Sequence, residues 1–251
     1  MNSAPILPPD YELLTYETLD SAVDEAMRLA ARGAEEGTLV WAKQQSAGHG
    51  RFGHPWISPP GNLYCALILR LEEPAETALQ VNYVAAVSLG AAVAELLGPA
   101  ALQYRWPNDL LVGGSKVGGL LLAASPRNSA GAFDWLVLGV AVNVATQPIN
   151  VNATALAPFS DRLEGVSEAD VLEGFARHFL SWINRWAEEG FAAVHKAWTV
   201  RASDVGQPVA IQLAQAVLEG RFAELDTAGA LVLALPGETR RLVTIGEFFS
   251  I

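Results

Sequence analysis

The stretch from Gln44 to Leu69 constrains the fold of this chain most. It runs Gln44-Gln45-Ser46-Ala47-Gly48-His49-Gly50-Arg51-Phe52-Gly53-His54-Pro55-Trp56, turns at Pro59-Pro60-Gly61-Asn62, and continues as the apolar strand Leu63-Tyr64-Cys65-Ala66-Leu67-Ile68-Leu69. Three glycines in six residues, Gly48, Gly50 and Gly53, let the backbone take positive φ and bring its N–H groups close to a ligand. Arg51 adds a planar fork that fits a carboxylate or a phosphate. The pattern suits a nucleotide or an acyl anion, although a surface turn has the same local composition.

Other elements are expected around this loop. Leu13-Leu14-Thr15-Tyr16 reads as a short strand, and Ser21 with Asp24 has the spacing of a capping box opening a helix that stops at Gly33. Thr38–Ala42 is a strand that delivers the chain into the loop. From Gln80 to Leu97, small and apolar residues recur at helical spacing until Gly98-Pro99. Leu102–Trp106 reads as a strand running into Pro107-Asn108-Asp109. Leu110–Val112 and Val117–Ala123 form a hairpin across Gly113-Gly114-Ser115. Trp135–Val144 is apolar enough to be buried on both faces, so Asn143 within it must find polar partners. Ser167 and Asp170 cap a long amphipathic helix bearing Phe175, Phe179, Trp182 and Trp186, and a short helix over Phe191–Trp198 follows. His178 and His195 on these helices read as solvated or locally bonded.

After Ser203-Asp204 the texture changes to short strands, with turns expected at Gly220, at Asp226–Gly229 and at Pro236-Gly237. This predicts a small β-barrel over residues 203–251, behind a larger domain over residues 1–202.

Composition narrows the function. A net charge of −11 without a basic cluster argues against duplex nucleic acid as a partner. The apolar run from Val81 to Gly98 is interrupted by Asn82, Ser88 and Glu95, and the N-terminus has neither a basic nor an apolar leader region, so no membrane span or signal peptide is expected. Cys65 is the sole cysteine and reads as a buried hydrophobe, which suits a reducing cytoplasm. His49, His54 and Cys65 lack a fourth ligand at suitable spacing, so no metal site is expected.

The chain has only three lysines, Lys43, Lys116 and Lys196. One of them follows Trp106-Pro107-Asn108-Asp109-Leu110 and a glycine turn. A cation, a carboxylate and an amide would then face a nest of backbone N–H groups, which is what stabilising charge on an acyl phosphate requires.

Taken in order, the glycine loop with Arg51, Gly61-Asn62-Leu63-Tyr64, Arg105-Trp106-Pro107-Asn108-Asp109-Leu110, Lys116-Val117-Gly118-Gly119 and Gly139–Val144, ending in a small barrel, resemble the biotin protein ligases. The likeness runs from about Leu13 to Glu247. It implies an α+β catalytic fold with a mixed sheet and packed helices, followed by an SH3-like barrel. It further implies that biotin and ATP react to biotinyl-adenylate, whose acyl group passes to a lysine of a biotin carboxyl carrier domain.

Residue by residue, the resemblance implies that Ser21, Gln45, Gly48, Gly50, Trp56, Asn108 and Gly118 bind biotin. Arg51, Asn108, Lys116, Asn143 and Glu247 would reach the nucleotide, with Glu247 closing over the ATP side. Lys116, Arg51 and Asp109 would carry the chemistry, Asp109 orienting or deprotonating the incoming lysine. Magnesium would accompany ATP, and the resemblance allows a homodimer. Four departures stand out. Ala22 and Val23 replace the threonine and asparagine usual after Ser21. His49 and His54 replace arginines, Ala123 replaces a glutamate, and Ala141 replaces a glycine. The sequence therefore leaves open a ligase for a related acid such as lipoate, and a non-catalytic module that binds a small acid or adenylate. A DNA-binding repressor is not expected, since there is no helix-turn-helix before Tyr11.

Overall fold

A computed structural model describes residues 5–98, 102–149, 151–160 and 165–251. Residues 1–4 of the proline-rich start and Pro99 of the expected helix stop lie outside the described residues. The elements are β1 (Glu12–Tyr16), α1 (Ala22–Ala31), β2 (Thr38–Ala42), β3 (Leu63–Leu69), α2 (Ala75–Ala78), α3 (Val81–Leu97), β4 (Leu102–Arg105), β5 (Asp109–Val112), β6 (Ser115–Ala124), β7 (Leu136–Val142), α4 (Glu168–Glu189) and α5 (Ala192–Thr199). The C-terminal part adds β8 (Pro208–Gln212), β9 (Val217–Leu225), β10 (Leu231–Ala234), β11 (Arg240–Val243) and α6 (Ile245–Phe249).

The larger sheet has seven strands in the order β1-β2-β3-β7-β6-β5-β4. β1 and β2 run parallel and the other neighbours antiparallel, so the sheet is mixed as expected. Its central strands are apolar at every position because both faces are covered. Along β3, Leu63, Cys65, Leu67 and Leu69 join the core under α3 and α4, whereas Ala66 and Ile68 pack beneath α1. Cys65 is accordingly a free, buried thiol, and burial pushes its pKa up. The stretch Ala75–Leu97, which takes in α2 and α3, is apolar and long enough to resemble a membrane span, yet most of it is buried inside this core. Its alanines let α4 approach closely, with Ala92 facing Gly174.

The hairpin between β5 and β6 turns at Gly113 and Gly114, both with positive φ (59° and 79°), a conformation that costs glycine nothing. The capping box expected at α4 is present, with Ser167 and Asp170 satisfying each other's backbone N–H groups. The one expected at α1 is half made. Ser21 Oγ accepts the Asp24 N–H at 3.2 Å, but the Asp24 carboxylate turns to His49. His178 and His195 are locally bonded, to Glu95 and to the Leu225 carbonyl.

The second sheet, β11-β10-β9-β8, is antiparallel and forms a small barrel-like unit. Here Gly220 is no turn. It lies within the continuous strand β9, where a Cβ would fall 2.7 Å from the Ala234 carbonyl of β10. β11 ends at Val243 and gives way to Thr244, whose hydroxyl caps α6. The unit docks through Tyr83 of α3, which donates to the Gly229 carbonyl at 2.6 Å and accepts from Trp106 Nε1 at 2.8 Å.

Candidate active site

The glycine loop is an extended hairpin. Gln45 N–H bonds the Ser58 carbonyl, Trp56 N–H the Gly48 carbonyl and Gly50 N–H the His54 carbonyl, leaving Arg51–Gly53 as the tip. Its base is fixed by Gln45, whose Oε1 accepts the Ala22 N–H at 2.8 Å at the start of α1 and whose Nε2 donates to Ser58 Oγ at 2.9 Å. Gly48 has no room for a side chain. A Cβ there would lie 2.5 Å from Ser58 Oγ, 2.7 Å from Gln45 Nε2 and 2.8 Å from the Trp56 carbonyl. Gly48→Ala is therefore expected to break the Gln45 bridge, weaken acid binding about tenfold or more and lower stability by about 1–3 kcal/mol. Titration calorimetry beside a melting curve checks both effects, and an unchanged affinity would show that Gln45 plays no part in binding.

The tip is clasped by the C-terminal unit. Arg51 Nη2 donates to the Gln212 carbonyl at 2.6 Å, and its guanidinium sits 3.2 Å over the Phe248 ring centroid. Arg51 Nε is buried without a hydrogen-bond partner. Burial pushes the guanidinium down to about 10 while the Asp109 charge pulls the other way, so it remains a cation at neutral pH.

Across the cleft, Trp106-Pro107-Asn108 leads into β5, with Pro107 joined through a cis bond. Asn82 Nδ2 donates to the Pro107 carbonyl, and Asn108 exchanges two 2.8 Å bonds with Leu120 of β6. These ties fix Asp109 at the start of β5, where its carboxylate lies 2.5 Å from Lys116 Nζ. The lysine stem runs over Gly119, and its ammonium lies 5.3 Å from the Trp56 ring centroid. Lys43, by contrast, pairs with Glu168 and covers Trp41.

Together these groups line a cleft of about 480 Å³ on the α1 face of the large sheet. Gln45, Gly50, Arg51, Trp56, Asn108, Asp109 and Lys116 all line it. The floor comes from Ala22, Val23, Leu121, Gly139 and Ala141, and is apolar. Two cations and one carboxylate facing an apolar floor can hold an acid by its tail and bring its carboxylate beside a second anion.

Other expected site residues lie elsewhere. Ser21 is buried at the α1 cap, and Gly48 sits behind Gln45. Side chains alternate along β6, so Gly119 and not Gly118 forms the cleft wall, Gly118 packing against Ala141 and Val142. Asn143 is 2% exposed and donates to the Thr154 carbonyl; it lines a separate cavity of about 150 Å³ that also has Trp56 and Lys116 in its wall. Glu247, expected over the nucleotide, instead pairs with Arg241 on a third cavity with Gln80 and Arg127, because the chain turns into α6 there.

Further residues support the site from behind. Asn62 Oδ1 accepts the N–H groups of Val144, Ala145 and Thr146 at 2.9–3.1 Å and so shapes the loop that follows β7. A buried asparagine before an apolar strand was a usable signal for it. Ser58 and Phe248 carried no such signal, since each matters only through a contact made by the folded chain.

Sequence comparison matches residues 56–200 to the Biotin/lipoate A/B protein ligase family and residues 205–250 to the Biotin protein ligase C terminal domain. A biotin–[acetyl-CoA-carboxylase] ligase of Paracoccus denitrificans is 36% identical over 236 residues, covering 92% of this chain and 97% of the relative. A biotin protein ligase of Aquifex aeolicus, solved in complex with biotin and ATP, superposes with a TM-score of 0.78 at 23% identity, over 94% of this chain and 97% of that one. A biotin protein ligase-like protein of unknown function from Silicibacter gives a TM-score of 0.80 at 24% identity, over 98% and 99%. At these identities the two structures share the fold.

Proposed function

This chain belongs to the biotin/lipoate A/B protein ligase family, and from that premise we propose that it is an ATP-dependent biotin protein ligase acting on a carrier-domain lysine. The observation that carries the reading is Lys116, which stands in the wall shared by the 480 Å³ cleft and the 150 Å³ cavity beside it. An acid in the first and a nucleotide reaching the second would meet at its ammonium.

In the first step a biotin carboxylate oxygen attacks the α-phosphorus of ATP, the bond to the bridging oxygen breaks, and pyrophosphate leaves. Lys116 and Arg51 offset the repulsion between the two anions and the charge that develops at phosphorus. In the second step the carrier lysine amine attacks the acyl carbon, the amide forms and AMP leaves with the bonding electron pair. Asp109, at the mouth beside Lys116, orients that amine and accepts its proton. Asn143 contacts the nucleotide from the smaller cavity.

Magnesium would accompany the nucleotide substrate, where it would offset phosphate charge. Among the described residues no group of three His, Cys, Asp or Glu side chains could hold a metal ion. In this reading residues 1–202 perform the activation, and residues 203–251 hold the loop tip through Gln212 and Phe248. A carrier domain is the macromolecular partner, the cytoplasm is the compartment, and the acidic balance speaks against duplex nucleic acid. ATP–pyrophosphate exchange driven by biotin tests the reading.

A ligase for a related acid such as lipoate is favoured by one observation, the apolar wall at Ala22 and Val23. The Ala22 N–H is already taken by Gln45, and Val23 packs against Gly139, where a Cβ would lie 2.4 Å from Val23 Cγ2. Two polar partners for a ureido ring are missing, each worth about 0.5–1.5 kcal/mol. Restoring Thr at 22 and Asn at 23 is expected to tighten biotin by up to roughly a hundredfold and to leave ATP affinity alone. Calorimetry with biotin and with lipoate decides this. Tight biotin binding by the unmodified protein, with no gain on restoration, would mean that other groups hold the ring. Tighter lipoate than biotin binding would make lipoate the acid.

A further inference from the structure

The glycine loop is held at its two ends by contacts already described, and its middle is held differently. At the base, Ser46 and Ala47 donate backbone N–H bonds to the Leu19 and Asp20 carbonyls at 2.8 and 2.9 Å. At the tip, Arg51 is clasped by the C-terminal unit. Between them His49, Gly50 and Arg51 line both the cleft and an open groove of about 310 Å³ shared with Met27, Ala123 and Phe249. One thickness of backbone thus separates the bound acid from solvent along this wall.

Among the described residues, one side chain of that wall is tied to α1. His49 Nε2 lies 3.1 Å from Asp24 Oδ2 and 3.2 Å from Oδ1, and Nδ1 lies 3.2 Å from the Gly50 carbonyl. In the tautomer that carries its proton on Nε2, the imidazole donates to the Asp24 carboxylate, which turns the ring toward α1. Asp24 is available for this contact because the Ser21 N–H that it would accept in a full capping box donates to Asp20 Oδ1 at 2.8 Å instead. We propose that His49 is a positioning residue whose hydrogen bond to Asp24 latches the middle of the glycine loop against α1 and so retains the acyl-adenylate in the cleft. The latch rests on the ligase reading for its purpose, though its existence does not depend on it. It also gives a role to a position where this chain departs from the arginine usual in its family.

The test uses the full chain and synthetic, radiolabelled biotinyl-adenylate. Its release is followed by rapid filtration, with hydrogen exchange of residues 48–50 measured in ligand-free protein. His49→Ala is expected to release the adenylate about tenfold faster, in line with loss of one hydrogen bond to a charged group, and to exchange faster at residues 48–50. His49→Gln, which keeps a donor at a similar reach, should restore both. Asp24→Ala should match His49→Ala, and the double variant should be no worse than either single one. Release and exchange in His49→Ala equal to the unmodified protein, or additive effects in the double variant, would overturn the latch. Failure of the unmodified protein to bind biotinyl-adenylate would instead remove the ligase reading. In that case the exchange measurement would still decide whether His49 holds the loop.

Discussion

Lys116→Ala is expected to slow formation of the acyl-adenylate by at least about a hundredfold, the usual consequence of deleting one preorganised electrostatic stabiliser. The geometry singles this lysine out. Its ammonium is 2.5 Å from Asp109, near the Trp56 ring, and in the wall between the two cavities. Neither other lysine is placed to substitute, because Lys43 is engaged with Glu168 and Lys196 lies on α5, and neither lines the two cavities. Stability should change little. The Lys116 and Asp109 side chains are 28% and 17% exposed, and a partly solvated pair of this kind contributes about 1 kcal/mol or less. Single-turnover adenylate formation, with a melting curve on the same sample, separates the two effects. A near-normal rate would remove Lys116 from the reaction centre.

Arg51→Gly should leave adenylate formation measurable but let the product escape, with retention falling by roughly thirtyfold or more. The substitution deletes a charged donor to the Gln212 carbonyl, worth about 1.5–3 kcal/mol, and the stacking over Phe248, worth about 0.5–2 kcal/mol. It also removes a cation whose Nε is buried without a hydrogen-bond partner. The loop tip is then released from the C-terminal unit, and the cleft opens at the side that shields a reactive anhydride from water. Hydrogen exchange across residues 46–55, with and without biotin plus ATP, reports this. Protection on ligand binding in the unmodified protein and its loss in Arg51→Gly is the expected pair of results. Exchange that ignores the ligands in both proteins would contradict the gating role.

The parts of this fold that were legible in the sequence are those governed by local pattern. The apolar runs at Leu63–Leu69 and Leu136–Val142 had to be central strands, and the Gly113-Gly114 turn had to join a hairpin. The acid and base partners of the site were legible for a different reason. Lysine is so rare in this chain that one following Asn108-Asp109 and a glycine turn stood out. What sequence pattern misplaced depended on long-range partners. Asp24 left its capping box for a histidine that lies 25 residues away. Gly220 looked like a turn but is a close approach between β9 and β10. Gly118 and Gly119 are indistinguishable until the β6 alternation decides which faces the cleft. Glu247 was assigned to the nucleotide through the family resemblance, whereas the helix that begins after Thr244 turns it toward Arg241.

The central claim is that the cleft joins an acid to a nucleotide at Lys116, and isotope exchange between labelled pyrophosphate and ATP tests it most directly. The account predicts exchange that requires biotin or a related acid and falls at least about a hundredfold in Lys116→Ala. Folded protein that binds biotin and ATP yet gives no exchange with either acid, or exchange that persists undiminished in Lys116→Ala, would contradict it.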